Sequence, residues 1–131
     1  MKTWRSALFA FAVMCNAGEA MAADPIKIGV TGPFTGGSSP MGISMRNGVK
    51  LAVDEINESA GILGRRIQIV ERDDEARNDL GIQIAEDLIY KENVTATLGF
   101  VNTGVAYHAQ SIYQNAEIPV IVNVATGTIN T

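Results

Sequence analysis

Four short β-branched runs alternate with three stretches whose apolar residues recur every three or four positions, and this rhythm restricts the chain to very few folds. Ile26 to Thr31 reads as the first strand, followed by a Gly/Pro/Ser loop from Gly32 to Gly42. Met41, Met45, Val49, Ala52 and Ile56 mark one face of a helix over 41–59. Ala60-Gly61 ends that helix, with Gly61 expected in the left-handed cap position and Gly64 in the turn that follows. Ile67 to Val70 is the second strand, closed by Asp73-Asp74. Asn78 or Asp79 is the expected cap of a helix carrying Ile82, Ala85, Leu88 and Ile89 inward. A third strand over Val94–Phe100 leads into a helix over Thr103–Ala116, whose inward side is Ala106, Ala109, Ile112, Tyr113 and Ala116. Ile118 to Val122 is an unbroken apolar run, expected to be a fourth strand buried on both faces.

A βαβαβαβ order implies a parallel sheet with right-handed crossovers and helices on both faces. The fold class is therefore α/β, a three-layer sandwich with strand order 2-1-3-4. In such sheets a ligand sits beyond the carboxyl ends of the strands, where the connections diverge. The loops Gly32–Gly42 and Phe100–Thr103 are thereby marked as the walls of a site.

The residues before the first strand carry an address. Lys2 and Arg5 precede an apolar run from Ala7 to Met14, and small residues lead to Ala20-Met21-Ala22. This is the order of a secretory signal peptide, with cleavage expected between Ala22 and Ala23. The apolar run is far below the roughly 20 residues needed to span a bilayer. Bulky Met14 before Cys15 argues against lipidation at that cysteine. The domain division is then 1–22 signal peptide and 23–131 ligand-binding domain, exported, free of cysteine and not inserted in the membrane after processing. A net charge of −4 over 131 residues excludes the basic footprint of a nucleic-acid partner.

The loops fit no common catalytic or cofactor pattern. Gly32-Pro33-Phe34-Thr35-Gly36-Gly37 misplaces the glycines of a dinucleotide fingerprint, and Ser38 stands where a phosphate loop needs lysine. Asp73-Asp74 has no third acid or lysine at matching loop ends, so it reads as a solvated capping turn. His108 is the sole histidine, on a helix surface, and no G-x-S-x-G elbow occurs. No metal, cofactor or catalytic residue is expected; the protein reads as a binder and not an enzyme. Ser38 and Ser39 hydroxyls remain as groups facing a small ligand. The unpaired amides at the start of the third helix would attract its anion without any lysine or arginine. Thr103 would donate to that anion, and Gly104 would let it approach the backbone closely.

Ile26-Lys27-Ile28-Gly29-Val30-Thr31-Gly32-Pro33-Phe34-Thr35-Gly36, Met41-Gly42 and Asn47-Gly48-Val49-Lys50-Leu51-Ala52-Val53-Asp54-Glu55-Ile56-Asn57 together resemble the opening of the periplasmic branched-chain amino-acid-binding proteins. Gly61-Ile62-Leu63-Gly64, Asp73-Asp74 and Ile118-Pro119-Val120 before Ala125-Thr126 continue the likeness over about residues 24–131. The resemblance implies the first lobe of a type I periplasmic binding fold. It also implies a periplasmic substrate-binding component of an ABC importer, with a membrane permease as partner and an amino-acid-like ligand. By motif, Thr103 would hold the ligand, with Asn102 beside it. Val124 would offer main-chain groups and Thr126 a hydroxyl and an amide. Met41 would line the pocket near Ser38 and Ser39.

The chain departs from some members in having Ala76 and Asn102 where they carry a disulfide. The second lobe, with the acid that pairs with a ligand ammonium, would lie beyond Thr131, so the chain reads as an N-terminal portion. The same fold also serves as the ligand-sensing part of receptors and regulators, and that alternative stays open at this point.

Overall fold

The structure, a computed structural model, describes residues 23–124. The expected signal peptide with its cleavage point, Cys15, and Thr126 lie outside the described residues. Strands β1 (Ile26–Gly32), β2 (Ile67–Asp73), β3 (Ala96–Gly99) and β4 (Val120–Val122) form one sheet in the order β2-β1-β3-β4. Every neighbouring pair is parallel, with Ile28 opposite Ile69 and Ala96, and Leu98 opposite Ile121. The architecture and strand order are those expected from the alternation.

Helix α1 (Ser39–Glu58) covers one face of the sheet. Helices α2 (Asn78–Glu86) and α3 (Thr103–Asn115) cover the other. α2 runs on into a single wider turn over Asp87–Lys91, where Leu88 and Ile89 are both buried. The α2/α3 side holds the main core. There Ala85 and Ile89 meet Phe100, Val105, Ala106, Ala109 and Tyr113, while Val70, Ile84, Leu88 and Val94 pack beneath. Gly81 brings α2 against Val105 of α3 with no room for a side chain between.

The opposite face is less filled. Only Gly42 and Val53 of α1 are buried, and the expected apolar stripe borders an open groove of 440 Å³. Val49, Ala52, Ile56, Ile28, Leu98 and Ile121 are among its lining residues. This corrects the expectation for the last strand. β4 pairs along one side only among the described residues, and Ile121 is 62% exposed. Its apolar run therefore does not have both faces buried.

Several boundaries move for local reasons. α1 begins at Ser39, before Met41, because a proline in its first turn has its φ preset for helix. The left-handed turn after α1 starts at Ala60 (φ 76°) and includes Gly61 (φ 72°). The Gly61 amide donates back to Ile56, which holds Ala60 in that conformation. The cap of α2 is Arg77, not Asn78 or Asp79. Asp79 instead lies in the first turn, where its carboxylate takes the Arg77 guanidinium at 2.6 Å.

Candidate functional site

The sheet's carboxyl edge is built by Gly32, Asp73, Gly99 and Val122, from which four loops emerge on the same side. β1 and β3 are neighbours, yet the connection from β1 leads to β2 and that from β3 leads to β4. The crevice between the loops after β1 and β3 is thus the switch point of the sheet.

The β3–α3 loop is fixed from below. Phe100 is buried, in the left-handed region (φ 44°), with its ring edge-on to Tyr113 at 6.1 Å. A non-glycine residue in that region is strained and persists only where packing over-determines it. Gly99 lies so close to the Thr31 carbonyl that a β-carbon would overlap it. The Asn123 amide donates to the Phe100 carbonyl at 3.3 Å, which brings the loop after β4 alongside. Val124 is half-buried and packs on the same core.

α3 then starts with its amides turned out. The Ala106 amide donates to the Asn102 carbonyl at 3.1 Å, so those of Thr103, Gly104 and Val105 precede the helical ladder. Asn102 holds the cap position but makes no side-chain capping bond, and its Oδ1 is buried without a partner. Thr103 is exposed at the first helical position. Asn102 and Thr103 thus stand at the cap and first position of α3. Gly104 is exposed, and on the side where a β-carbon would stand the Asn78 Oδ1 would lie 2.9 Å from it.

The β1–α1 loop supplies the facing wall. Ser38 is the cap residue of α1 without a side-chain capping bond, and Ser39 opens the helix; both are half-buried. Met41 is 62% exposed in the first turn. Gly42 packs directly on the Pro33 carbonyl, which folds the loop back on the helix it precedes. A β-carbon on Gly32 would stand 3.8 Å from Val101 and 3.1 Å from Met45, so the two loops meet at the base of the crevice.

The solvated capping turn expected of Asp73-Asp74 is corrected: Asp74 is buried, Arg77 holds the cap of α2, and half-exposed Asp73 ties two loops together. Its carboxylate accepts from the Phe34 amide at 2.8 Å, the Thr35 hydroxyl at 2.6 Å and the Glu75 amide at 3.0 Å. Burial opposes its ionisation, but these donors outweigh burial and hold the carboxyl below the usual carboxylate range. Asp74 is wholly buried. Its Oδ1 accepts from the Ala76 amide at 2.9 Å while Oδ2 has no partner. Burial pushes its carboxyl up, partly offset by the Ala76 amide and reinforced by the charge of Asp73.

His108 is exposed and its Nδ1 lies 2.7 Å from the Gly104 carbonyl, in keeping with a surface residue. Among the described residues no three His, Cys, Asp or Glu side chains gather as a metal set. No described helix is long and apolar enough to cross a membrane.

A family profile for periplasmic binding proteins matches residues 25–131. Over 104 residues the chain is 36% identical to "Leu/Ile/Val-binding protein homolog 7" of Brucella abortus, covering 79% of this chain and 26% of that protein. The fold is similar to a branched-chain amino acid transporter substrate-binding protein, LivJ, of Streptococcus pneumoniae, solved with isoleucine. That likeness has a TM-score of 0.75 and 30% identity, over 78% of this chain and 29% of the other. It is also similar to a solute-binding protein of an ABC transporter from Rhodopseudomonas palustris, solved with 3,4-dihydroxybenzoic acid. There the TM-score is 0.72 and the identity 29%, over 81% and 28% of the two chains. The chain spans about a quarter of the length of the curated relative.

Proposed function

The chain belongs to the periplasmic binding protein family, and from that premise we propose that it is the first lobe of an importer's capture protein for amino acids or related small carboxylates. The observation that carries this reading is the start of α3. The amides of Thr103, Gly104 and Val105 precede the helical ladder there, at the positive end of the helix macrodipole and at the switch point, and Thr103 is exposed beside them. No lysine or arginine occurs from Phe100 onward, so the anion would be held by neutral donors alone. Isoleucine and 3,4-dihydroxybenzoic acid, the ligands of two similar proteins, share a carboxylate and little else. A site built for the carboxylate first, with the rest of the ligand read elsewhere, accounts for both.

In this reading Thr103, with Asn102 beside it, takes the carboxylate. Ser38, Ser39 and Met41 form the facing wall, Val124 closes the side after β4, and Thr126 would add the hydroxyl and amide that the family resemblance assigns to it. Most of the length of the relatives lies outside the match. That region would supply the opposing lobe, so that a hinge closes the two around the ligand. The signal peptide would deliver the protein to the periplasm, where a membrane permease of the ABC type would accept its cargo. Relatives that are binding proteins support a role in binding.

The experiment is a titration of isotope-labelled 23–131 with millimolar L-leucine and, separately, leucinamide, followed by amide chemical shifts. Leucine should move the Thr103, Gly104 and Val105 amides, and leucinamide, which lacks the carboxylate, should not. Equal effects of the two, or none at these amides, would remove the carboxylate site.

A further inference from the structure

Asp73 lies at the end of the edge strand β2, yet two of its three donors come from the loop after β1, close to forty residues earlier in sequence. Its Oδ1 takes the Phe34 amide together with the Glu75 amide, and its Oδ2 takes the Thr35 hydroxyl at 2.6 Å. The adjoining backbone reinforces the connection, because the Asp74 amide donates to the Gly32 carbonyl at 3.0 Å. Glu75 and Ala76 follow with positive φ (50° and 58°), held there by the carboxylates of Asp73 and Asp74 respectively. Two aspartates thus stabilise two consecutive left-handed residues, a geometry that short polar side chains permit by bonding the backbone two residues on.

Resting on the function proposed above, we infer that Asp73 is a positioning residue of the binding crevice. It fastens the β1–α1 loop to the β2–α2 turn and so sets where Ser38, Ser39 and Met41 stand. The loop has few other anchors. Gly36 has a positive φ, and no atom lies within 4 Å of where a β-carbon on Gly36 or Gly37 would be. Phe34 is steadied by the Arg46 guanidinium 5.1 Å from its ring centre. Among the described residues the carboxylate alone holds both the Phe34 amide and the Thr35 side chain, and charge-assisted bonds of this length are about twice as strong as neutral ones. Asp73 touches no ligand in this assignment; it acts through the loop.

Amide hydrogen exchange on the mature chain tests the assignment. In Asp73→Ala the Phe34 and Glu75 amides should lose at least tenfold of their protection, with the interior amides of β1 and β3 unchanged. Thr35→Val should loosen the loop less, and Thr35→Ser should restore it, because only the hydroxyl is required. The same Asp73→Ala chain should lose the leucine-induced shifts at Ser38, Ser39 and Met41 while keeping those at Thr103 and Gly104. Unchanged protection of Phe34 would overturn the anchor. Freed loop amides with leucine shifts at Ser38 to Met41 intact would overturn its role in the crevice. A parent chain that shows no leucine response at α3 refutes the binding reading itself and with it any role in a crevice, while the exchange data still decide whether Asp73 holds the loop.

Discussion

Gly81 of α2 and Val105 of α3 meet with the Val105 side chain resting on the glycine backbone, in space that a β-carbon would occupy. Val105 is fully buried two residues after Thr103. The position of the proposed carboxylate site is therefore set by how closely two helices approach behind it.

Gly81→Ala should destabilise the fold by about 1–3 kcal/mol, the usual cost of forcing a methyl into a filled interior. It should also push the start of α3 away from α2. Urea unfolding gives the first quantity, and amide shifts at Asn102 to Val105 report the second. A midpoint equal to that of the parent chain would show that the helices have slack.

Asp74 carries a pH signature. Its carboxyl is raised in the folded state by burial, so the folded chain binds that proton more tightly than the unfolded chain does. Stability contributed by the protonated form is present below the ordinary carboxylate range and lost as pH rises through the raised value. Asp74→Asn keeps an oxygen for the Ala76 amide and removes the buried charge. Its melting temperature should exceed that of the parent at pH 7.5, and the gap should close near pH 4. A lower melting temperature at pH 7.5 would mean that the charge has a partner.

The alternation of β-branched runs with helical stripes was sufficient for the sheet, its order and the crevice, because strand and helix periods are local properties of sequence. Asn102 and Thr103 were legible for the same reason: they follow a strand and open a helix. What was not legible depends on distant partners. Asp73 looks like a solvated turn residue until Phe34 and Thr35 arrive from the loop after β1. Ile121 looks like a core residue, since an apolar strand does not reveal whether a neighbour covers it. Capping was misplaced for a subtler reason. Arg77 takes the cap of α2 because the Asp74 turn before it sets the extended backbone there, and its guanidinium still finds Asp79.

The isolated 23–131 chain should bind amino acids weakly. It presents one wall of a crevice, and a groove of 440 Å³ beneath α1 stays open, so neither the ligand nor the sheet face is fully enclosed. Calorimetry with L-leucine should give a dissociation constant in the millimolar range, with marginal thermal stability. Micromolar binding by this chain alone would show that one lobe suffices.

Thr103 decides between a ligand role and a merely structural one. A threonine at the start of a helix often serves as its cap, but here the cap position is Asn102 and Thr103 is exposed one residue further on. Its hydroxyl is therefore available to the anion that the first amides of α3 would attract. In a protein that contains both lobes, Thr103→Val should weaken ligand affinity by about 1–3 kcal/mol, the cost of leaving a charged group short of one hydrogen bond. The melting temperature of the unliganded protein should stay close to that of the parent, since no helix cap is lost. A capping role would give the reverse pattern, with lowered stability and unchanged affinity. Calorimetry with L-leucine or L-isoleucine alongside thermal unfolding separates the two, and unchanged affinity in a folded variant would take Thr103 out of the site.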